Sequence, residues 1–296
     1  MPQHFVAPPL WAWYIVWYFF LGGLAGGAYL LGTLLRLNGD PRDEGVARLA
    51  FLVAFPAVVI CPILLTLDLG HPLRFWHMLI NSRTGGLNFK YWSPMSVGAW
   101  ALLIFSFFVT VSFIEALFGA GWTRHSAARS IAGGLSGAFG HLFMVVGSLF
   151  GLFVAGYTGV LLSVSNQPVW SDTWALGGLF LASGLSVAAA TLAILARSRA
   201  DAVSTERKLS RADRFFVVLE ILLLAAFFVT LGTLAGRLFA PRWIVLWVLV
   251  ALGIVAPLVL NRVSGPGRLG SPGLAAFLVL LGGLALRIVL IFGAQM

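Results

Sequence analysis

The sequence predicts an all-α integral membrane protein, with about eight transmembrane helices arranged as two four-helix bundles and both termini extracytoplasmic. Three observations carry this reading. Sixty per cent of the residues are apolar, 10% are charged and the mean hydropathy is +0.97, far from the values of soluble domains. Apolar runs of roughly 20 residues, each able to cross about 30 Å of hydrocarbon as helix, recur at 13–35, 47–67, 94–118, 134–163, 174–196, 215–236, 243–260 and 273–293. Finally, the basic residues concentrate in alternate connections.

The formal charge of +9 invites a nucleic-acid reading, but its placement follows the positive-inside rule instead. The first, third, fifth and seventh connections hold Arg36, Arg42, Arg48, Arg124, Arg129, Arg197, Arg199, Arg207, Lys208, Arg211, Arg214, Arg262 and Arg268. The others hold only Arg74, Arg83, Lys90, Arg237 and Arg242. The odd connections are then cytoplasmic, which puts the stretch from Asp68 to Tyr91 and both termini outside. Residues 1–196 read as the first bundle and 197–214 as a basic cytoplasmic loop. Residues 215–296 read as the second bundle, to which the fifth helix, 174–196, also belongs; the whole is one membrane domain. No charge precedes Arg36 and no signal-peptide pattern is present, so the first helix reads as a retained span.

The first helix opens with a Trp/Tyr cluster suited to the membrane interface and continues as LGGLAGGAYLLG. Gly22, Gly23, Gly26 and Gly27 form small-residue pairs four apart, which let another helix approach closely. Tyr14 and Tyr18 share a face, either as interfacial residues or as hydroxyls lining a ligand cleft. The second helix carries Pro56, Pro62 and the lone Cys61, whose role is packing, and ends at Asp68. An acid at that depth is either a water-contacting helix end or a group kept for proton work.

The outer loop that follows is rich in aromatic and basic residues, beyond what a simple hairpin needs. Ser93 and Pro94 read as N-cap and first residue of the third helix, which ends near Glu115. The fourth helix carries His141 in its inner part and Tyr157 in its outer half. Gly156, Thr158 and Gly159 around Tyr157 suggest that it faces protein or a cleft. Glu220 in the sixth helix and Arg287 in the eighth are ionisable groups within spans. Glu115, His141 and Glu220 on the inner side, with Asp68, Tyr157 and Arg287 on the outer, could bracket a polar track.

The sequence also argues against several kinds of site. Lys90 and Lys208 are the only lysines and both fall in predicted loops, which leaves no mid-helix lysine for a Schiff base. One cysteine cannot hold an iron–sulfur cluster. Among the histidines, His71 and His77 are in a loop and His4 and His125 lie near chain ends or connections. Only His141 is clearly helical, so haem is not expected. No metal-ligand spacing and no phosphate-binding glycine loop stand out.

LGGLAGGAYLLG, DLGHPLRFWHMLINSR followed by SPMSVGAW, GYTGVLLSVSNQPVW and the closing LRIVLIFGAQ together resemble the NrfD/PsrC family of polysulfide-reductase-type membrane subunits. The resemblance covers most of the chain. It implies a quinone-interacting anchor for an extracytoplasmic ferredoxin-like iron–sulfur subunit, which often joins a molybdopterin catalytic subunit, with no haem or metal in the anchor itself. The quinone, menaquinone or ubiquinone, would be an exchangeable substrate. It further implies Tyr157 beside the quinone, Asp68 as the acid heading the DLG motif, and docking through the loop containing Arg74, His77 and Arg83 together with Trp170. The pattern departs at Tyr18, where some members carry histidine; tyrosine can still hydrogen-bond a quinone oxygen.

On this reading Tyr157, with Tyr18 or Tyr14, binds the headgroup, and Asp68 with His71 handles protons at the outer face of the plasma (inner) membrane. If protons instead come from the cytoplasm, Glu115, His141, Glu220 and Arg287 are the candidates for their route. If they do not, these residues are structural ion pairs. A secondary transporter and a purely structural anchor are the alternatives.

Overall fold

The computed structural model describes residues 10–121, 125–126, 133–135, 137–199, 202–263 and 271–295. Among these residues the fold is all-helical, with an isolated bridge between Ile80 and Leu87 in place of any strand. The helices are α1 (Trp13–Leu37), α2 (Glu44–Asp68), α3 (Pro94–Gly119), α4 (Gly137–Ser163), α5 (Leu176–Arg197), α6 (Val203–Leu231), α7 (Ile244–Val263) and α8 (Ser271–Ala294). All eight are long and apolar enough to cross a membrane, as the sequence predicts. Of the residues used in the sequence reading, His4, Arg124, Arg129 and Arg268 lie outside the described ones.

α1 occupies the middle: 83% of its most apolar window is buried, and it packs on α2, α4, α5 and α8. Around it α2 contacts α3 and α3 contacts α4, while α5 contacts α6 and α8, and α7 lies between α6 and α8. The glycines of α1 make this central position possible because they divide between two neighbours. A Cβ at Gly26 would run into the Gly151 carbonyl of α4, and one at Gly23 or Gly27 would press on Gly184 and Ala188 of α5. Helix backbones therefore meet directly on both sides of α1, where dispersion contacts replace the hydrophobic driving force that lipid does not supply.

At the end carrying the basic connections, Arg36 fastens three helices. Its guanidinium pairs with Glu44 of α2 at 2.9 Å and Glu115 of α3 at 2.7 Å; Arg48 joins Glu44 at 2.8 Å and donates to the Gly119 carbonyl at 2.5 Å. A second clasp links the α1–α2 connection to α6. Asp43 is fully buried and accepts from Thr205 Oγ1 and Lys208 Nζ, both at 2.7 Å. Lys208 also donates to Asp40 at 2.9 Å, which, with the Arg42 amide, holds the Asp40 carboxyl below the usual carboxylate range. This clasp corrects one expectation, since most of 197–214 is helix and not loop. α6 starts at Val203 because Glu206 and Lys208 find partners on Arg197 and the α1–α2 connection.

The opposite end is aromatic. Trp11 stacks on Trp170 at 5.0 Å, Trp170 Nε1 donates to the Leu290 carbonyl at 2.7 Å, and the Trp11 amide donates to Gln295 Oε1 at 2.7 Å. The Gln167 side-chain amide donates to the Ala294 carbonyl. The sequence reading puts Trp170 on a docking surface, and the structure corrects this: it is wholly buried as the peg that ties α8 to the α4–α5 connection.

Replacing Glu115 with alanine leaves Arg36 one acid short in a partly dry site and is expected to cost about 2 kcal/mol of stability. The unfolding midpoint in detergent reads this loss. No change in the midpoint would show that Glu44 alone satisfies Arg36.

Candidate functional site

Four helices converge on the site nearer the aromatic end. α3 begins where Ser93 Oγ accepts from the Ser96 amide and Pro94 supplies a first residue that needs no donor partner. One turn further on, Gly98 faces the Tyr157 ring so closely that any Cβ would collide with it. The ring lies parallel to Phe153 one turn earlier on α4, with centroids 5.6 Å apart and planes 17° apart. Tyr18 of α1 is buried beside it, with Cys61 and Tyr157 as its ionisable neighbours. Cys61 of α2 donates to the Ala57 carbonyl at 3.2 Å and lies 3.9 Å from the Tyr18 carbonyl.

Neither the Tyr18 nor the Tyr157 hydroxyl has a hydrogen-bond partner among the described residues. Buried phenols normally find one. Tyr29, three turns further along α1, does so with Ser112 at 2.9 Å. A groove of about 400 Å³ reaches Tyr157 from between α3 and α4, lined by Tyr91, Trp92, Pro94 and Val97 on one side and Leu152, Phe153, Gly156 and Val160 on the other. Its walls are almost wholly apolar and its size is that of a small-molecule site. Such an arrangement can take a flat apolar molecule that presents an oxygen to the Tyr157 phenol, with Tyr18 buried behind it.

The remaining sequence-predicted residues fall in different places. Tyr14 is exposed near the start of α1, a turn outward of the buried Tyr18. Asp68 lies in the last turn of α2, and no hydrogen bond joins it to either tyrosine. His71 caps a short 3₁₀ turn (Pro72–Met78) and is exposed, as are Arg74 and Arg83, while His77 is half-buried against Trp76. The loop also exposes Leu73, Phe75, Leu87 and Tyr91.

The expected polar track is divided. Glu115 is taken up by Arg36, and His141 is exposed on the outside of α4, so neither lies with Glu220 and Arg287. Those two do come together across Ser183: Arg287 donates to Ser183 Oγ at 3.2 Å and to the Gly283 carbonyl at 2.7 Å, and Ser183 adjoins Glu220. The guanidinium carbon also sits 5.3 Å from the Phe180 ring centre and 5.7 Å from that of Phe20. Among the described residues no group of three or more His, Cys, Asp or Glu is placed to hold a metal ion.

A family model described as polysulphide reductase, NrfD, matches residues 2–296. The chain belongs to the NrfD family. Individual NrfD relatives match over the same extent. The C subunit of selenate reductase from Mesobacillus selenatarsenatis is 26% identical, covering 96% of this chain and 74% of its own. The C subunit of polysulfide reductase from Wolinella succinogenes is 26% identical over 97% of this chain and 94% of its own. Protein NrfD of Escherichia coli is 28% identical over 97% and 95%. With eight membrane-length helices, this NrfD-family chain is a multi-pass membrane protein.

Sequence reasoning missed Asp213, buried in α6 and accepting from Ser186 Oγ at 2.6 Å. Its signal was present: it stands seven residues after Glu206 and seven before Glu220, which puts the three on one helix face. Gly98 was also missed as a site residue, although it sits inside the SPMSVGAW stretch.

Proposed function

We propose that this NrfD-family chain is the quinone-reactive membrane subunit of a multi-subunit oxidoreductase, exchanging electrons between the membrane quinone pool and an extracytoplasmic iron–sulfur partner. The observation that carries the reading is an apolar groove open between α3 and α4 that reaches Tyr157, whose hydroxyl, like that of the buried Tyr18 beside it, has no partner among the described residues. A quinone headgroup reaches Tyr157 from the lipid side through this groove, and its isoprenoid tail stays among Val97, Leu152 and Val160. The Tyr157 hydroxyl, with Tyr18 beside it, donates to a headgroup oxygen, and Gly98 leaves the room that the Tyr157 ring occupies. Asp68 and His71, at the membrane surface above, are the groups that exchange protons with the outer water.

Placement of the aromatic end and both termini outside the plasma (inner) membrane follows from the basic connections at the other end. The partner docks over the exposed loop with Arg74, Arg83 and the surrounding Leu73, Phe75 and Trp76. That relatives are named as parts of polysulfide and selenate reductases supports a catalytic partner beyond the iron–sulfur one, which the sequence resemblance implies to be of molybdopterin type. The neighbour order, α1 to α4 around one ring and α5 to α8 around another, supports two four-helix bundles meeting at α1 and α5. A transporter is less well supported, because α2 and α7 run unbroken through Pro56, Pro62 and Pro257.

Purification of the tagged chain in mild detergent, with co-purifying proteins, iron and extractable quinone read from one sample, tests the proposal. Recovery of an iron–sulfur protein and quinone is expected. A chain that emerges alone under conditions that preserve complexes, without iron or quinone, would refute it.

A further inference from the structure

Several cations at the basic end are used to hold helices together. Arg36 and Arg48 share Glu44, Arg36 also takes Glu115, Arg197 takes Glu206, and Lys208 takes Asp40 and Asp43. Three arginines of α6 take no part in this. Arg207, Arg211 and Arg214 are exposed, and among the described residues none of them makes a hydrogen bond or an ion pair. Asp213, beside Arg214 in the chain, is buried and accepts from Ser186 on α5 instead.

The three share one face. Spacings of four and three residues put them within an arc of about 60° on a helix of 3.6 residues per turn, with a rise of about 10 Å from the first to the last. The same line continues down the helix as Val218, Leu222 and Val229, all exposed, which widens the arc only to about 80°. No acid of α6 falls within it. α6 packs on α5 and α7 by its other faces and is the least buried of the eight spans, so this face looks onto lipid.

Depth decides what the arginines meet. α6 has 29 residues, about 43 Å of helix, against about 30 Å of hydrocarbon. After Arg214 the sequence turns to FFVVLEILLLAAFFVTL, with Glu220 as its one charge, so the excess length stands at the basic end. Arg214 then lies at the edge of the hydrocarbon, and Arg211 and Arg207 stand about 4.5 and 10.5 Å further out through the headgroup layer. Lipid phosphates occupy that depth, and a guanidinium holds phosphate oxygens in pairs. An acidic soluble protein could reach Arg207 but not an arginine at the hydrocarbon edge on a lipid-facing stripe.

We propose that Arg207, Arg211 and Arg214 form a binding site for an anionic phospholipid in the leaflet at the basic end, with its acyl chains laid along Val218, Leu222 and Val229. Because the stripe is longer than one phosphate, a lipid carrying two phosphodiesters fills it better than a lipid carrying one. The bound lipid braces the end of a span that has protein neighbours on only part of its circumference. The site is independent of the quinone-reactive reading and needs only that the chain spans a membrane.

The test uses the purified full chain, with the partners it retains, in mixed micelles of mild detergent and phosphatidylcholine. Diphosphatidylglycerol, phosphatidylglycerol and inorganic phosphate are titrated in turn, with bound lipid read by native mass spectrometry and the unfolding midpoint followed in parallel. Both anionic lipids are expected to bind in preference to phosphatidylcholine, the two-phosphate lipid at least fivefold tighter than the other, and to raise the midpoint. Arg207→Gln/Arg211→Gln is expected to weaken the two-phosphate lipid about 25-fold, at about fivefold for each arginine near the surface. Arg237→Gln/Arg242→Gln removes the same charge from two exposed arginines at the aromatic end and is expected to stay within twofold of wild type. Arg207→Lys/Arg211→Lys keeps the charge and loses the paired donors; a loss of two- to fivefold is expected, and this variant carries the comparison if the glutamine variant does not assemble. No preference over phosphatidylcholine, equal loss in the two glutamine variants, or wild-type affinity in the Arg207/Arg211 variants would overturn the site. Inorganic phosphate binding as tightly as lipid overturns it too, as does loss of a co-purifying protein from Arg207→Gln/Arg211→Gln with lipid preference intact. Equal affinity for the two anionic lipids overturns the two-phosphate assignment.

Discussion

Replacing Tyr157 with phenylalanine is expected to lower quinone turnover of the assembled complex about 100-fold, the lower end of what a positioned hydrogen-bond donor to a developing oxyanion contributes. The substitution keeps the stack on Phe153 and the fit over Gly98, and removes only the hydroxyl that has no partner among the described residues. Assembly and thermal stability should therefore hold, which separates this variant from one that misfolds. Gly98→Ala is expected to reach a similar loss by a different cause, because the new Cβ displaces the Tyr157 ring while its hydroxyl remains. Steady-state turnover with a short-chain quinol, normalised to intact complex, measures both. Turnover of Tyr157→Phe within twofold of wild type would remove Tyr157 from the site.

The second large effect is on stability. Gly26→Ala is expected to destabilise the protein by about 3 kcal/mol or to prevent its assembly, the upper range for overpacking. The added methyl meets the Gly151 backbone carbonyl, which cannot rotate away as a side chain would, so α1 and α4 must separate along their length. Gly22→Ala, one turn earlier on the same stripe, is the control. Its Cβ would lie 3.6 Å from Val154 Cγ1, an ordinary contact, and the expected change is within about 0.5 kcal/mol. Detergent unfolding midpoints and membrane yield of the two variants decide the comparison. Equal behaviour would mean that α4 adjusts more freely than this backbone contact implies.

Much of the fold is legible in the residues alone. Eight apolar runs become eight helices, the motif-bearing stretches lead to a family that covers residues 2–296, and Gly156, Thr158 and Gly159 correctly mark Tyr157 as facing protein, where it is buried. Partners are harder. Glu115 and Glu220 look alike in sequence, each an acid toward the basic end of an apolar helix, yet one meets Arg36 and the other meets Ser183. Trp170 has the look of an interfacial aromatic and is a buried peg. His141 reads as internal and faces outward. Asp213 escapes notice because 197–214 reads as loop, and in a loop a spacing of seven has no meaning.

The sequence by itself determined the number of the spans, the basic end and the family, because each depends on composition along the chain and the cost of taking charge or unpaired backbone out of water. The tertiary structure alone decided which face of each helix turns inward. In water an apolar stripe reveals that face, but here the lipid and the protein interior are equally apolar, and hydropathy carries no record of rotation. What sets the rotation is close contact between small residues, such as Gly26 on Gly151 and Gly23 on Gly184. Those contacts bring Tyr18 beside Tyr157 and Arg287 beneath them, and the site exists only through that packing.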